Sequence, residues 1–383
     1  MKSYNMLLLR PDEIERAPDV MDTWNALVQA SANIGVLYQS PVWWECNRDL
    51  EGDNRMLAVM KSGDGTIEAI CPLLRNEYSF SFGLLGRGLR PVRVPIAEIL
   101  GGEPLLRGHH CVDPQFFRLL LEGCPAVAGI YLKSIRSDSS YWNLLHASRA
   151  LRAGTLVYLP DGDRPYHSIT LAPTFSEYLA KFRSKTRSGL QRNVKLLRSK
   201  GNGNLELVRI ETEKDVDLLI EAENQISARS WQGRIFGIQI PDKPAYRAFL
   251  MCCARSGILR SYLLRCGGEY CSFVQGYQFQ GIYYYKKTAF DESYGKLSPG
   301  TALTHLLLED LTNERPARKV NYAHGDWAYK RLFGTDHLSD TSALFLRKRL
   351  KYRLLIMSHG AYSGLLRKVK RIMGRNRDYV RGE

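Results

Sequence analysis

The stretch that decides the fold is residues 283–311, which read YYYKKTAFDESYGKLSPGTALTHLLLEDL. It begins within an aromatic and β-branched run, residues 282–290, and such a run predicts a buried strand. A polar turn follows, after which Leu303, Leu307 and Leu311 recur every four residues and predict an apolar helix face. The stretch therefore predicts a strand, a turn of small residues and a helix in direct succession.

The start of this helix has the composition of an anion site. Ser298 is a typical N-cap residue, Pro299 suits the first helical position, and Gly300 has no side chain to block a ligand. Free backbone N–H groups at the positive end of the helix dipole favour an anion, most often a phosphate. A capped helix without a ligand has the same signs, so the turn alone leaves both interpretations open.

The segment before the helix predicts an antiparallel meander. Residues 258–264, 269–279 and 282–290 are strand-like runs separated by turns that contain glycine. A similar hairpin with a glycine turn lies at residues 54–75, in the first half of the chain. This order of strands leading into a helix resembles the core of the GNAT acyltransferases, in which the turn after the fourth strand holds the pyrophosphate of coenzyme A.

The composition indicates a globular protein with a large core. The chain has 383 residues, enough for two domains of ordinary size, and 44% of them are hydrophobic. Its apolar runs are too short to span a bilayer, and residues 1–10 lack the apolar segment of a signal peptide, so we expect a cytoplasmic protein. The eight cysteines form no C-x-x-C pair and have no histidine at zinc spacing, so no metal is expected.

The net charge of +15 is concentrated in two segments. Residues 174–200 predict a single long helix, and residues 178–200 within it contain eight basic and no acidic residues. Such a surface is either an ordinary solvated face or a site for a phosphate-rich partner such as an adenosine phosphate, a nucleotide-linked sugar or transfer RNA.

Residues 346–383 contain twelve basic and two acidic residues among regularly spaced leucines. This pattern predicts an amphipathic helix that Gly360 and Gly364 interrupt, and its first apolar side is Leu346, Leu350, Leu354, Leu355 and Met357. For residues 346–357 an anionic membrane surface and packing on the protein are equally good interpretations, whereas residues 365–375 favour the membrane surface over a solvated end.

Four segments carry a resemblance to a known family: FRSKTRSGLQRNVKLLRSKG at 182–201, SWQG at 230–233, FDESYGKLSPGTAL at 290–303 and HGDWAYK at 324–330. Together with QSPVWW at 39–44, they resemble the BioF-like GNAT acetyltransferase family, which includes acetyltransferases of cellulose and exopolysaccharide biosynthesis. That family is similar to the Fem-type aminoacyltransferases, which are built as two fused GNAT-like domains with one working site.

The resemblance implies an α/β (α+β) fold of tandem GNAT-like domains, each a mixed, mostly antiparallel sheet flanked by helices. The turn-rich segment PDGDRP at 160–165 is the best candidate boundary. We therefore expect an N-terminal GNAT-like domain at 1–163, a C-terminal domain with the donor site at 164–345, and the basic tail at 346–383.

The implied activity is transfer of an acyl group from acetyl-CoA or another acyl-CoA to an amine acceptor, such as an amine on a sugar or a cell-envelope precursor. Two alternatives remain open: a Fem-type aminoacyltransferase that uses charged tRNA, and a basic membrane- or nucleic-acid-binding protein that is not an enzyme. Such a transfer needs no covalent nucleophile, and the sequence has no G-x-S-x-G signature that would indicate one.

The donor would be held by the strand and the helix start. We expect Ser298, Gly300 and Thr301 to bind the pyrophosphate, with Lys286 or Lys287 adding positive charge. Backbone N–H groups of residues 287–290, which include Thr288 and Phe290, would polarise the thioester carbonyl.

The acid–base and acceptor-binding candidates lie mainly in HGDWAYK. Gly325 would direct Asp326 into a cleft, where Lys330 would pair with it, and Tyr285 is a further catalytic candidate. Trp231 and Gly233 are candidates for the acceptor pocket. An exposed turn with an ordinary ion pair would explain the same residues without a catalytic role.

Overall fold

The structure is a computed structural model that describes residues 4–84, 87–88, 91–108, 115–236 and 244–372. The strands, in chain order, are β1 Tyr4–Leu9, β2 Arg55–Ser62, β3 Ile67–Phe80, β4 Gly83–Leu84, β5 Arg87–Gly88, β6 Val92–Ile99, β7 Leu105–Leu106, β8 Gly129–Arg136, β9 Leu156–Tyr158, β10 Arg164–Thr170, β11 Leu205–Ile210, β12 Ser261–Cys266, β13 Glu269–Phe279, β14 Ile282–Phe290, β15 Lys319–His324 and β16 Asp336–Leu346. The helices are α1 Pro11–Glu15, α2 Pro18–Ala30, α3 Pro41–Cys46, α4 Arg48–Glu51, α5 Gln115–Gly123, α6 Ser140–Ala147, α7 Arg149–Gly154, α8 Phe175–Ala180, α9 Ser184–Lys200, α10 Val216–Ala228, α11 Trp231–Phe236, α12 Pro244–Arg255, α13 Pro299–Asn313, α14 Ala328–Phe333 and α15 Leu350–Ile372.

The described residues form two compact units. The first consists mainly of residues 4–165, and β16 and α15 also belong to it. The second consists mainly of residues 166–337 and takes in the short segment 45–50. The domain limits expected from the sequence, 1–163, 164–345 and 346–383, stay a prediction.

The sheet of the first unit has the strand order β1-β2-β3-β6-β8-β16. Its neighbours are antiparallel except β6 and β8, which are parallel. The hairpin of β2 and β3 turns around Asp64, whose Oδ1 accepts hydrogen bonds from the Ser62 hydroxyl at 2.7 Å and the Thr66 N–H at 3.0 Å. Helix α5 buries Phe116, Phe117 and Leu120 in the core of this unit.

The sheet of the second unit has the strand order β10-β15-β14-β13-β12-β11. Its neighbours are antiparallel except β14 and β15, which are parallel. Strands β12 to β14 are the predicted meander, and the predicted apolar face of α13 is buried with α9 in one core, which includes Leu190, Leu197, Leu303, Leu307 and Leu311.

Each unit thus has a mixed, mostly antiparallel sheet flanked by helices, which confirms the predicted fold class. In both units the parallel pair of strands is joined through a helix, α5 in the first and α13 in the second. This repeated arrangement is the structural counterpart of the similar hairpins seen in the two halves of the sequence.

A buried ion pair attaches α13 to the sheet. Arg260 in β12 is 1% exposed and donates from Nη2 to Asp310 Oδ2 of α13 at 2.8 Å. Tyr262 donates from Oη to the same carboxylate oxygen at 2.7 Å. Because breaking one partner of a buried pair leaves an uncompensated charge, this pair fixes the position of α13 on β12.

Two helices differ from the sequence prediction. The single helix predicted over 174–200 is two helices, α8 and α9, since Arg183 between them is extended with ψ at 152°. Helix α15 continues through Gly360 and Gly364, which we expected to break it. None of the helices in the described ranges is long and apolar enough to cross a membrane.

Candidate functional site

Strands β14 and β15 pair over only part of their length. The parallel register joins Ile282 to Lys319 and ends at Tyr284, opposite Asn321, whereas β14 continues to Phe290. Residues 285–290 stay paired with β13 on one side, and in the described chain no strand pairs with their other edge. This edge can offer backbone N–H groups to a ligand, and the donor-binding roles of Lys287, Thr288 and Phe290 stay a prediction.

The carboxyl ends of β14 and β15 lie at the same edge of the sheet because the two strands are parallel. Helix α13 begins at this edge after β14, and HGDWAYK begins there at the end of β15. Open α/β sheets bind ligands outside the carboxyl ends of their strands. The structure therefore brings the predicted donor-binding and acid–base segments to one edge of the second unit.

The start of α13 differs in detail from the expected cap. Ser298 is the N-cap residue but has a left-handed backbone with φ at +51°, and its side chain makes no capping hydrogen bond. Its carbonyl oxygen accepts from the N–H groups of Thr301 and Ala302, each at 3.1 Å. In the described part of the chain the Gly300 N–H has no partner, so it is available to an anion at the positive end of the helix.

A bulge in β14 separates Lys287 from the tyrosines before it. Gln275 of β13 lies opposite Lys287 and the next residue, Gly276, lies opposite Tyr285, so Lys286 is the extra residue. Since successive side chains of a strand alternate between faces, the bulge places Lys287 on the other face from Tyr285. Accordingly, the Lys287 Nζ lies 3.6 Å from Glu223 Oε2 of α10.

Asp326 is held by two neighbours. Its Oδ1 lies 3.1 Å from His167 Nε2 of β10 and its Oδ2 lies 2.6 Å from Arg331 Nη1. Gly325 before it has φ at +106°, a conformation that favours glycine, so this turn depends on the residue expected to direct Asp326. The Asp326 side chain is 45% exposed, which leaves it accessible to a ligand.

Lys330 does not pair with Asp326, contrary to our expectation. Its Nζ is directed to the backbone and donates to the carbonyl oxygens of Tyr322 at 2.6 Å and His324 at 2.7 Å. The left-handed backbone at Ala323, with φ at +55°, lies between these two carbonyls. The interaction that holds Lys330 is therefore a set of hydrogen bonds to β15.

The charges in this segment follow from burial and hydrogen bonding. Burial lowers the pKa of Lys330 to about 8. Desolvation would raise the pKa of Asp326, but hydrogen bonds from His167 and Arg331 outweigh it and keep the pKa below its ordinary value. Burial lowers the pKa of His167, so its imidazole is neutral near pH 7 and donates one hydrogen bond to Asp326. Near neutral pH, Asp326 is therefore negatively charged, and the pH is close to the pKa of Lys330.

Tyr285, Gly233 and Trp231, the remaining predicted residues, each make packing contacts. Tyr285 is buried with its ring centroid 5.0 Å from that of Tyr322, and burial raises its pKa. A Cβ on Gly233 would lie 1.8 Å from the Ser227 carbonyl oxygen, so glycine is required there by packing. Trp231 lies beside Trp327 of HGDWAYK, with ring centroids 5.9 Å apart, and thus reaches the candidate site.

Glu223 is a residue that the sequence prediction missed. It lies on the buried face of α10, is 0% exposed, and neither of its carboxylate oxygens has a hydrogen-bond partner in the described chain. A signal was present, since Glu223 follows Val216 and Leu219 at the spacing of an apolar helix face. Glutamate is rarely fully buried unless it is paired, so this position is unusual.

Helix α9 packs beside α13 and presents a basic outer surface. The exposed basic residues of this helix have no carboxylate within ion-pair distance in the described structure; they are Lys185, Arg192, Lys195, Arg198 and Lys200. No group of three or more His, Cys, Asp or Glu residues among the described positions could hold a metal ion.

Residues 184–331 match the family model of the acetyltransferase (GNAT) domain. A search of the curated proteins gave no match. Among solved structures, the chain is similar to FemX, with a TM-score of 0.60 and 13% identity over 88% of this chain and 98% of that one.

Two further structures have comparable similarity. One is the C-terminal domain of a protein provisionally named lysylphosphatidylglycerol synthetase from Agrobacterium fabrum, with a TM-score of 0.52 and 13% identity over 90% of this chain and 96% of that one. The other is a tandem GNAT protein from the clavulanic acid biosynthesis pathway, with a TM-score of 0.50 and 11% identity over 90% of this chain and 98% of that one. The chain therefore has a tandem GNAT-like fold, and its residues 184–331 match the model of the GNAT acetyltransferase domain.

Proposed function

We propose that the protein is an N-acyltransferase that moves an acyl group from acetyl-CoA or another acyl-CoA to an amine. The observation that carries this proposal is the edge of β14 with which no strand of the described chain pairs, followed after residues 291–297 by the helix start at Ser298 and Gly300. An acyl donor lying along this edge would have its thioester next to residues 285–290 and its pyrophosphate at the Gly300 N–H.

The residues present fit coenzyme A. A Cβ at Gly300 would have only an ordinary contact, 3.6 Å from Phe290 Cδ1, so a ligand can approach this backbone closely. The neighbouring helix α9 offers Lys195 and other cations that have no ion-pair partner in the described chain and would attract the phosphates of the donor. Thr301, at the first turn of α13, would add a hydroxyl donor to the same site.

The acceptor side is assigned to HGDWAYK and Trp231. Asp326 is anionic and accessible, so we assign it to binding the ammonium form of the acceptor. Lys330 would stabilise the oxyanion or the leaving group as a hydrogen-bond donor. Tyr285 packs on Tyr329, the residue before Lys330, with ring centroids 5.9 Å apart. An amine on a sugar of an exopolysaccharide or a cell-envelope precursor is the proposed acceptor class, since polar groups and aromatic rings meet here.

A second candidate keeps the fold and changes the donor to an aminoacyl-tRNA. The basic surface of α9 favours it, because several cations without carboxylate partners would suit a nucleic-acid backbone better than a single nucleotide. Transfer by such an enzyme would depend steeply on salt concentration, since each phosphate contact releases counterions.

A third feature supports an anionic membrane surface as a partner. The outer face of α15 carries large apolar side chains that are strongly exposed: Leu350 at 72%, Leu354 at 57%, Met357 at 60% and Leu365 at 61%. Tyr352, Leu355 and Ile356 of the same helix pack inward on the first unit, so α15 is held with this stripe outward. Residues 350–372 contain no Asp or Glu, which fits a negatively charged lipid surface.

This geometry modifies the expected amphipathic pattern. Leu346 ends the buried strand β16, and Leu355 faces inward, so neither belongs to the outer stripe. The part of the expected membrane segment after residue 372 lies outside the described residues.

Thermal-shift measurements test which donor is used. A ligand that binds the native protein raises its melting temperature by mass action. We expect acetyl-CoA or a longer acyl-CoA, each at 1 mM as an order-of-magnitude choice (about 100-fold above a typical Kd), to raise it by several degrees. A shift with charged tRNA and none with any acyl-CoA would favour the second candidate. No shift with either donor would favour the third possibility, a basic membrane- or nucleic-acid-binding protein that is not an enzyme.

A further inference from the structure

Glu223 and Lys287 form a pair whose carboxylate is fully buried. Helix α10 packs on β13 and β14, and from its buried face Glu223 reaches Lys287 at 3.6 Å, beyond hydrogen-bond distance. Neither carboxylate oxygen has a hydrogen-bond partner in the described chain, and one turn later the buried Ser227 hydroxyl has none either. A structural ion pair normally has its remaining acceptors satisfied, so this arrangement is costly and typical of a functional site.

Lys287 lies between its buried partner Glu223 and the candidate donor site. Its backbone lies on the edge of β14 that has no paired strand in the described structure, and its side chain is 21% exposed. The bulge at Lys286 is what directs Lys287 away from Tyr285 and toward Glu223. The pair is thus buried at its carboxylate end and accessible at its amine end.

We propose that Lys287 accepts the proton of the acceptor amine during acyl transfer, and that Glu223 is the positioning residue that shares this proton from behind. The proposal rests on the acyl transfer proposed above and deepens it. It replaces the expected role of Lys287 as a charge for the pyrophosphate, because the ammonium faces a carboxylate of its own.

The titration of the two groups is consistent with proton sharing. Burial raises the pKa of Glu223 to about 8, with Lys287 acting in the opposite direction. Burial lowers the pKa of Lys287, and Glu223 offsets part of this change. Among the described residues, Tyr246 of α12 is a further titratable group near Glu223; burial raises its pKa, so it stays neutral. From β13 the pair meets Phe273, which carries no charge.

The proton balance of the transfer closes from the neutral amine onward. The acceptor ammonium first releases one proton to solvent; the neutral amine nitrogen then attacks the thioester carbon, forming a C–N bond, and the C–S bond breaks to release the thiolate of coenzyme A. The nitrogen loses one proton to Lys287, which passes a proton to the Glu223 carboxylate when it is itself protonated. The pair then returns this proton to the thiolate sulfur, so no further reactant is needed.

Competitive labelling with acetic anhydride over a pH range of about 6 to 11, read by mass spectrometry at single lysines, tests the pair without an acceptor. Lys286 on the same bulge is exposed and is the internal control. We expect the labelling midpoint of Lys287 to lie below that of Lys286, because burial lowers the pKa of Lys287. Glu223→Gln should lower the Lys287 midpoint further, because it removes the carboxylate that favours the ammonium.

Turnover provides the second measurement, with acetyl-CoA and a panel of primary amines and thiol release as the readout. Lys287→Met should lower kcat by about 100-fold or more with little change in KM for acetyl-CoA, and Glu223→Gln should shift the acidic limb of the pH profile to lower pH. Melting temperatures verify that each variant is folded.

Equal midpoints for Lys286 and Lys287 in the wild type, unchanged by Glu223→Gln, would overturn the proposal, as would full kcat in Lys287→Met. A shifted Lys287 midpoint in a protein that binds no acyl-CoA would contradict the proposed donor but support the proton-sharing pair.

Discussion

The imidazole of His167 lies 3.1 Å from the carboxylate of Asp326, measured from Nε2 to Oδ1. His167 is buried in β10, whereas the Asp326 carboxylate is 45% exposed at the end of β15. The sheet therefore holds one side of the carboxylate and leaves the other side accessible. Because the His167 ring is kept neutral by burial, it orients Asp326 without neutralising its charge.

Asp326→Asn tests the acceptor role. The amide keeps the shape of the side chain but loses the negative charge that would bind an ammonium, so we expect turnover to fall by about 10- to 100-fold. Affinity for acetyl-CoA, measured by calorimetry, should change by less than about twofold. Asp217→Asn is the matched control, since Asp217 also pairs with an arginine, Arg247, but lies on the exposed start of α10. Wild-type turnover in Asp326→Asn would contradict the acceptor role and favour an exposed turn with an ordinary ion pair.

Lys330 predicts a pH dependence of stability. Its pKa is about 8 in the native state against an ordinary 10.5, so between these values the unfolded chain binds a proton that the native protein has lost. Stability from this group therefore rises with pH in that window, by at most about 1.4 kcal/mol per pH unit. Urea unfolding of wild type and Lys330→Met at several pH values between 7 and 10 isolates the effect, which should favour the wild type increasingly as pH rises.

Lys330→Met also removes the donor to the Tyr322 and His324 carbonyls, which should cost about 1–3 kcal/mol even below pH 8. A difference between the two proteins that is constant with pH would contradict the lowered pKa and leave only this structural contribution.

The outer stripe of α15 predicts binding to anionic vesicles. Replacing Leu354 and Met357 with glutamate introduces acidic groups on the exposed face and should abolish flotation with vesicles that contain phosphatidylglycerol. Leu196→Glu is the matched control, because it places the same charge on an exposed leucine of the basic helix α9. Binding should also weaken at high salt. Wild-type protein that fails to float with anionic vesicles would refute this surface.

The sequence predicted the elements whose signals are local. Strands β12 to β14 and helix α13 were predicted because alternation, glycine turns and a four-residue leucine spacing each act over a few neighbouring residues. The position of Ser298 as the N-cap was also predicted, although its left-handed backbone was not, since that conformation depends on how the preceding turn meets α13.

Contacts between distant segments were not predictable in the same way. His167 and Asp326 are 159 residues apart, and no local pattern joins them. The pairing of Lys287 with Glu223 depends on a bulge, which exists only in the register between β13 and β14. For α15, the sequence pattern predicted an amphipathic helix. Which side of it faces solvent is decided by the packing of Leu355 and Ile356 on the first unit.

Calorimetric titration of acetyl-CoA into the wild type, Gly300→Ala and Gly300→Glu tests the central claim most directly. The wild type should bind, and Gly300→Ala should bind within about threefold of it, because a Cβ there makes only an ordinary contact with Phe290. Gly300→Glu places bulk and a negative charge at the positive end of α13 and should weaken binding by at least about tenfold, or about 1.4 kcal/mol. Binding of acetyl-CoA to Gly300→Glu with wild-type affinity, or no binding to the wild type, would contradict the donor site proposed here.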